Sequence, residues 1–295
     1  MKKIKTLHIL FPEKFFYQYI HFVNENFNPD DHLFLYLKTK GNEPQFSNVK
    51  RLKFYRFGPL FYWELFCYSR RSEKIILHSL SKPKVIYFLF LFPFFLKKCY
   101  WYLWGGDLYY RISQYSKPIY NPLSKLIFKS VVEKLGCIVS QIKGDIDFAR
   151  QYFNFKGKTI DSFLYPSNFF NPLELRKKTD NTLWIQIGNS SHESNNHIDA
   201  INRISYLKED DVKIICPLSY GNKKHAATVI KRGKEVFGDK FIPLTTFIPL
   251  EEYLEILSKI DIAIFNHWRQ QAVGNITTLL GLGKTVYIRK EVTTW

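Results

Sequence analysis

The side chains best suited to chemistry lie near the end of this chain, in His267-Trp-Arg-Gln-Gln-Ala-Val-Gly-Asn275. A guanidinium, carboxamides, an imidazole and a glycine crowd into one short stretch. The flanks predict what holds them: Asp261–Phe265 reads as a short buried strand, Ile276–Gly281 as an apolar helical turn and Thr285–Ile288 as the next strand. A helix N-terminus presents free N–H groups and a partial positive charge, so it attracts anions. A diphosphate suits this loop. The plainer alternative is an ordinary strand-to-helix loop with Asn275 as N-cap.

A second polar loop, Gly188-Asn-Ser-Ser-His-Glu-Ser-Asn195, follows a predicted strand, and its small residues could bring backbone N–H groups close to a phosphate. It lacks the Gly-x-Gly-x-x-Gly dinucleotide pattern, and an N-cap at Ser194 or Asn195 is the simpler reading. Gly281-Leu-Gly-Lys-Thr285 imitates the end of a P-loop, but it precedes a strand, and Gly283 reads as a helix C-cap. In the first half, Trp101-Tyr-Leu-Trp-Gly-Gly-Asp-Leu-Tyr109 carries Asp107 through a glycine turn between Trp104 and Tyr109. Asp107 could take a proton as general base, with the aromatic rings stacking on a sugar. Equally, it could cap the next helix. His8, His192, His197, His225 and His267 lack zinc-ligand spacing, so no metal and no cofactor is called for.

These residues need strands to present them. Strands are predicted at Thr6–Phe11, Leu33–Leu37, Asn48–Phe54, Lys74–His78, Cys99–Trp104 and Cys137–Ser140, with helices at Phe15–Asn26, Phe61–Ser69, Lys84–Leu96 and Asn121–Leu135 between them. Asp145 reads as the cap of a further helix, Phe148–Tyr152. Gly157–Lys178 breaks the pattern and reads as a linker. The alternation then restarts with strands at Leu183–Ile187, Val212–Cys216 and Lys240–Leu244 and helices at Asn195–Leu207, Lys224–Phe237 and Glu251–Lys259. Strands alternating with helices imply parallel βαβ units, whose ligands sit at the carboxyl ends of strands. His78, Asp107 and Gln141 fall there. The fold class is α/β, with two Rossmann-type domains at 1–165 and 180–295, parallel sheets facing a cleft in a GT-B-like outline. The chain stops directly after a strand, so the second domain is expected to be incomplete at its C-terminus or naturally shortened.

Bulk properties narrow the partners. Lys and Arg number 43 against 26 Asp and Glu, a net charge of +17, which favours an anionic partner: nucleic acid, a membrane surface or a phosphorylated substrate. The composition is 46% hydrophobic, enough for sizeable cores, and 18% aromatic. The four cysteines are scattered, which fits a reducing compartment. The apolar run Val85–Leu96 is too short to span a bilayer. With Lys97-Lys98 after it, that helix could be membrane-facing or buried between sheet and domain interface; the total charge favours the membrane.

Trp104-Gly-Gly-Asp107-Leu-Tyr109, Ile187-Gly-Asn-Ser190, Ser194-Asn-Asn-His197-Ile, Pro217…Tyr220-Gly221 and Arg269-Gln-Gln271…Gly274 occur in this order. Together they resemble the TDP-N-acetylfucosamine:lipid II N-acetylfucosaminyltransferases, glycosyltransferase family 56, across nearly the whole chain. The resemblance implies a GT-B fold and transfer of 4-acetamido-4,6-dideoxygalactose, or a similar sugar, from a dTDP-sugar to an undecaprenyl-diphosphate-linked saccharide. The product would enter enterobacterial common antigen, O-antigen or capsule. Asp145-Ile-Asp147 matches a metal-binding Asp-x-Asp, but GT-B enzymes generally work without that metal.

Under this resemblance the donor would lie against Gly188, Asn189, Ser190, Tyr220, Gly221, Arg269, Gln270, Gln271, Gly274 and Asn275. Arg269 would neutralise the leaving diphosphate, Gln270 and Gln271 would bind the sugar, and Tyr220-Gly221 would border the nucleotide. Asp107 is the candidate base, with His78, Trp104 and Tyr109 on the acceptor side. The implied partners are the dTDP-sugar, the lipid-linked acceptor and an anionic membrane surface at the cytoplasmic face of the bacterial inner membrane. Two rivals are a shortened, inactive homologue and a basic nucleic-acid-binding protein; the strand–helix alternation argues against the second.

Overall fold

The computed structural model describes residues 3–13, 16–38, 49–112, 121–163, 165–166, 169–170 and 178–295. The chain divides into two units, Met1–Ser167 and Asn168–Trp295.

The first unit is built on a parallel sheet. Its strands are β1 (Ile4–Leu10), β2 (His32–Leu37), β3 (Leu52–Tyr55), β4 (Ser72–His78), β5 (Cys99–Tyr102), β6 (Cys137–Ser140) and β7 (Lys158–Asp161), in the order β3-β2-β1-β4-β5-β6-β7. β1 pairs with β2 in the register His8↔Phe34 and with β4 in the register His8↔Ile76. Alternate side chains point to opposite faces of a strand, so each face has its own core. On one face, Leu7, Ile9, Leu35, Ile75, Leu77 and Trp101 meet the inner sides of α2 (Pro59–Arg71), α3 (Pro83–Leu91), α5 (Pro122–Lys134) and α6 (Lys143–Phe153). On the other, Leu10, Phe34, Tyr36 and Val139 meet α1 (Phe16–Asn26) and Tyr165.

The structure departs from the predicted elements where local pattern is weakest. The run at 84–96 is not one helix: α3 ends at Leu91, and Pro93 opens a separate 3₁₀ turn, Pro93–Lys98. Proline lacks the N–H that a continuing helix would need. A one-turn helix, α4 (Gly106–Tyr109), follows the Gly105 turn. Inside the predicted linker lies β7, an edge strand with all four side chains exposed. Asp145 does not cap a helix; it sits in the first turn of α6, buried, where it accepts from the Tyr109 hydroxyl (2.8 Å).

The second unit follows a strict β-α alternation: β8 (Leu183–Ile187), α7 (His197–Arg203), β9 (Val212–Pro217), α8 (Lys223–Phe237), β10 (Phe241–Leu244), α9 (Leu250–Lys259), β11 (Ile262–Phe265), α10 (Val273–Gly281) and β12 (Thr285–Ile288). The parallel sheet runs β10-β9-β8-β11-β12. α7 and α8 cover one face through Ala200, Ile201, Val229 and Phe237. α9 and α10 cover the other through Leu257, Ile276 and Leu279.

Candidate functional site

Each sheet has one place where consecutive connections leave in opposite directions, and the loops there part to form a crevice at the carboxyl ends of the strands. In the second unit that point lies between β8 and β11. The loops beside it are 188–196 and 266–272, and the loop after β9 adds Tyr220-Gly221. Topology thus brings the separate sequence motifs of the second half to one rim.

Hydrogen bonds tie these loops together. Asn189 Nδ2 donates to the Tyr220 hydroxyl (2.9 Å), and Gln271 Nε2 donates to Asn189 Oδ1 (3.3 Å). Ser194 Oγ donates to Gln271 Oε1 (2.6 Å), and Trp268 N donates to the Ser194 carbonyl (3.0 Å). Inside the first loop Asn195 is the hub: it accepts from Asn189 N (3.0 Å) and donates to the Ser190 and His192 carbonyls (3.0 Å each). Gly188 is left-handed (φ 68°), and a Cβ there would lie 2.8 Å from both Asn195 Oδ1 and His197 Nε2. Gly221 (φ 116°) lets its chain come so close that a Cβ would lie 2.8 Å from the His192 nitrogen.

This network alters several predicted roles. The loop amides are used internally: Gly188 N donates to the Ile264 carbonyl (3.0 Å) and Ser191 N to the Tyr220 carbonyl (2.8 Å). These amides are turned to acceptors within the protein. Gln271 is a strut between loops, with both ends of its carboxamide engaged. Asn275 does not cap α10; its Oδ1 accepts from the Tyr253 hydroxyl (2.6 Å), and the cap position is Ala272, in the left-handed region (φ 60°) with no side-chain cap. Nor does Ser194 or Asn195 cap α7. The preceding residue is Asn196, itself left-handed (φ 51°).

What remains suited to an anion is the start of α10. The amides of Val273, Gly274 and Asn275 belong to a first helical turn, where N–H groups have no intrahelical acceptor. Arg269, half-buried, precedes them and donates to the Gln270 carbonyl (3.1 Å). Gln270 is buried, and its Oε1 has no partner among the described residues. Beneath, His197 and His267 are fully buried, and burial depresses each to a pKa of about 3, so both are neutral. Two aromatic rings flank the rim: Tyr220 is 51% exposed and Trp268 is 52% exposed. The sequence reading did not single out Trp268; a large ring between His267 and Arg269 was the available signal.

In the first unit the switch point lies between β1 and β4. The loops there carry Phe11-Pro-Glu13 and Ser79-Leu-Ser-Lys82. Asp107 reaches this region as an anchor. Its Oδ2 accepts from Leu80 N (2.8 Å) and Trp101 Nε1 (2.7 Å), its Oδ1 accepts from Trp104 N (3.2 Å), and the Ser79 side chain adds a further bond. It is 5% exposed. Burial pushes its carboxyl above the usual range, and the four hydrogen bonds oppose that rise. Both oxygens are committed to donors in the protein, so neither is open to a substrate hydroxyl. The predicted base is therefore a clamp that joins the β4 loop to the β5 loop. Ser79, held at φ 82°, lies under that clamp.

The predicted acceptor residues also turn inward. Tyr109 is buried against Phe148, with its hydroxyl on Asp145. His78 is buried in a chain of hydrogen bonds: His32 Nδ1···His8 Nε2 (2.9 Å), His8 Nδ1···His78 Nε2 (3.2 Å), His78 Nδ1···Tyr165 Oη (2.8 Å) and Trp104 Nε1 to Tyr165 Oη (2.9 Å). Burial holds His8 and His78 well below the ordinary imidazole range. Only Trp104 of the three keeps a partly exposed ring. Gln141, just after β6, is half-buried, and its Oε1 has no partner among the described residues. The carboxylate that the sequence reading missed is Glu13, exposed at the carboxyl end of β1 and close enough for its charge to act on Tyr36 and Tyr165. Its position gains meaning from the sheet order, which sets β1 beside the switch point.

The profile of the 4-alpha-L-fucosyltransferase family, glycosyl transferase group 56, matches residues 65–295. The chain belongs to this family. Solved structures resemble it across almost its whole length. Sucrose-phosphate synthase from Thermosynechococcus elongatus superimposes with a TM-score of 0.66 at 11% identity, covering 96% of this chain and 80% of that one. Anabaena HepE in complex with UDP gives 0.65 at 10% identity, covering 96% and 80%. The O-GlcNAc transferase of Thermobaculum terrenum gives 0.56 at 13% identity, covering 96% and 52%. The fold of this family 56 member is GT-B, and the protein is a glycosyltransferase.

Proposed function

We propose that this family 56 glycosyltransferase moves a deoxy-acetamido sugar, 4-acetamido-4,6-dideoxygalactose or a close relative, from a dTDP-sugar to an undecaprenyl-diphosphate-linked saccharide in surface-polysaccharide synthesis. The observation that carries the donor half is the uncapped start of α10, set beside Arg269 and braced by the Asn189–Gln271–Ser194 network. As the anomeric C–O bond breaks, charge collects on the leaving diphosphate. The α10 amides and the guanidinium stabilise that charge where it develops. Gln270 Oε1 is a buried acceptor in need of a donor, which a sugar hydroxyl or the acetamido N–H would supply. Tyr220 and Trp268 offer their rings to the nucleoside or sugar.

On the acceptor side Glu13 takes the proton of the attacking hydroxyl, while Asp107 and Trp104 hold the neighbouring loops. The acceptor is lipid-borne, and a net charge of +17 favours the anionic cytoplasmic face of the inner membrane. No helix among the described residues is long and apolar enough to cross a bilayer.

The test is release of dTDP from a dTDP-linked deoxy-acetamido sugar in the presence of the lipid-linked saccharide. Glu13→Gln should lower kcat by about 10²–10⁴-fold and leave dTDP affinity unchanged. Near-normal turnover in Glu13→Gln would remove it as base. Failure of the wild type to use any dTDP-sugar would overturn the donor assignment.

A further inference from the structure

A set of large apolar side chains lies exposed on one layer of the first unit. α2, α3 and α5 pack against the same sheet face through Phe61, Leu65, Val85, Leu89, Phe128 and Val131. They also touch one another: Phe66 meets the Phe92 ring at 5.0 Å and the Phe95 ring at 5.7 Å, and α3 packs beside α5. Their outer sides therefore form one surface facing away from the sheet. On that surface stand Trp63 from α2, Phe90, Leu91 and Phe94 from α3 and the turn after it, and Leu123 and Leu126 from α5, each between 43% and 69% exposed. Single exposed apolar residues are normal on proteins, but a contiguous group on adjacent helices marks an interaction surface.

The charge around this group has one sign. Arg70, Lys84, Lys97, Lys125 and Lys129 are all exposed on the same three helices and the connecting turn. The acidic residues of these elements are already engaged: Glu64 accepts from the Tyr55 hydroxyl and pairs with Lys53, and Glu133 pairs with Lys156 (3.2 Å). At one edge an open surface depression is lined by Phe66, Phe94 and Phe95, with Arg70 and Lys98 beside them. Lys98 is tied down, donating to the Ser72 carbonyl at 2.6 Å.

We propose that the α2–α3–α5 face is the surface by which this enzyme docks on an anionic lipid bilayer. The inference rests on the lipid-borne acceptor proposed above and adds which residues meet the membrane. Leu91, Phe94 and Trp63 enter the acyl boundary, while the cations meet lipid phosphates. A second copy of the chain is a poorer occupant, because self-pairing would set like charges against each other. Nucleic acid would meet the cations but leave the leucines without an apolar partner.

Flotation of the full chain with vesicles of phosphatidylglycerol and phosphatidylcholine, free of any saccharide acceptor, tests this. The wild type should bind at least tenfold more strongly than to phosphatidylcholine alone, and added salt should weaken binding. Leu91→Ser/Phe94→Ser and Lys84→Glu/Lys97→Glu should each lose at least tenfold. Tyr206→Ser/Tyr287→Ser, exposed positions of the second unit, should bind as wild type. All of these sites are exposed, and an unchanged melting temperature with unchanged dTDP binding certifies each variant's fold. Wild-type binding by both double variants, or no vesicle binding by the wild type, overturns the proposal. So does a dimer in sedimentation that the Leu91/Phe94 variant dissolves. Because the vesicles hold no acceptor, failure of sugar transfer would leave this result standing. Transfer without docking would remove only the membrane face.

Discussion

Asp107→Asn separates a clamp from a base. The carboxylate accepts four hydrogen bonds, from Leu80 N, Trp101 Nε1, Trp104 N and the Ser79 side chain. An amide of the same shape keeps one accepting oxygen and turns an NH₂ toward donors. Bonds to a charged group contribute about 1.5–3 kcal/mol each, and a buried donor left unsatisfied costs about 1–3 kcal/mol. Against that, the variant no longer buries a charge, which recovers part of the loss. The net expectation is a destabilisation of about 3 kcal/mol. For a unit of this size that lowers the melting temperature by roughly 6–12 °C. Calorimetry on wild type and variant reads it, with dTDP binding by the second unit as the control. Any activity loss should follow the loss of fold and recover on cooling. A melting temperature within about 2 °C of wild type, with turnover reduced by orders of magnitude, would refute the clamp and restore Asp107 as the base.

Two further outcomes follow from the second unit. His197 and His267 have pKa values of about 3 in the fold, against about 6.5 in an open chain. Their contribution is full above that unfolded value and is lost as pH falls below it, because the unfolded chain takes up protons first. By pH 5.5 each costs about 1.4 kcal/mol, or roughly 3 kcal/mol together, so the urea midpoint of this unit should fall between pH 7.5 and 5.5; a flat profile would contradict their burial as neutral groups. Gly188→Ala must hold a left-handed residue and place a Cβ 2.8 Å from His197 Nε2. It should lose about 2–3 kcal/mol, read by denaturation, and a variant as stable as wild type would show that the loop takes another path.

The second unit was the more legible half. β8 and β9 follow from their apolar runs alone. Short buried parallel strands read as continuous apolar segments, so they announce themselves. Lys158–Asp161 does not, because an exposed edge strand carries no apolar pattern. The break in the 84–96 run was signalled by Pro93, yet its apolar content masked the stop. Candidate-site residues can be named from the sequence where one loop carries them, as at Arg269 and Gln270. Roles set by distant partners were not. Asp107 is held by Leu80, and Gln271 by Asn189; nothing local to either residue reports those bonds. Glu13 was overlooked because its meaning comes from the sheet order β2-β1-β4, which is known only once the strands are assembled.

The central claim is that a nucleoside diphosphate binds where Arg269 meets the start of α10. Calorimetric titration of dTDP into the wild type and into Arg269→Ala tests it directly. The wild type should bind one dTDP per chain, and Arg269→Ala should bind at least tenfold more weakly, since a charged hydrogen bond contributes about 1.5–3 kcal/mol, at an unchanged melting temperature. A wild type that does not bind dTDP, or an Arg269→Ala variant that binds it as tightly as wild type, would contradict the claim.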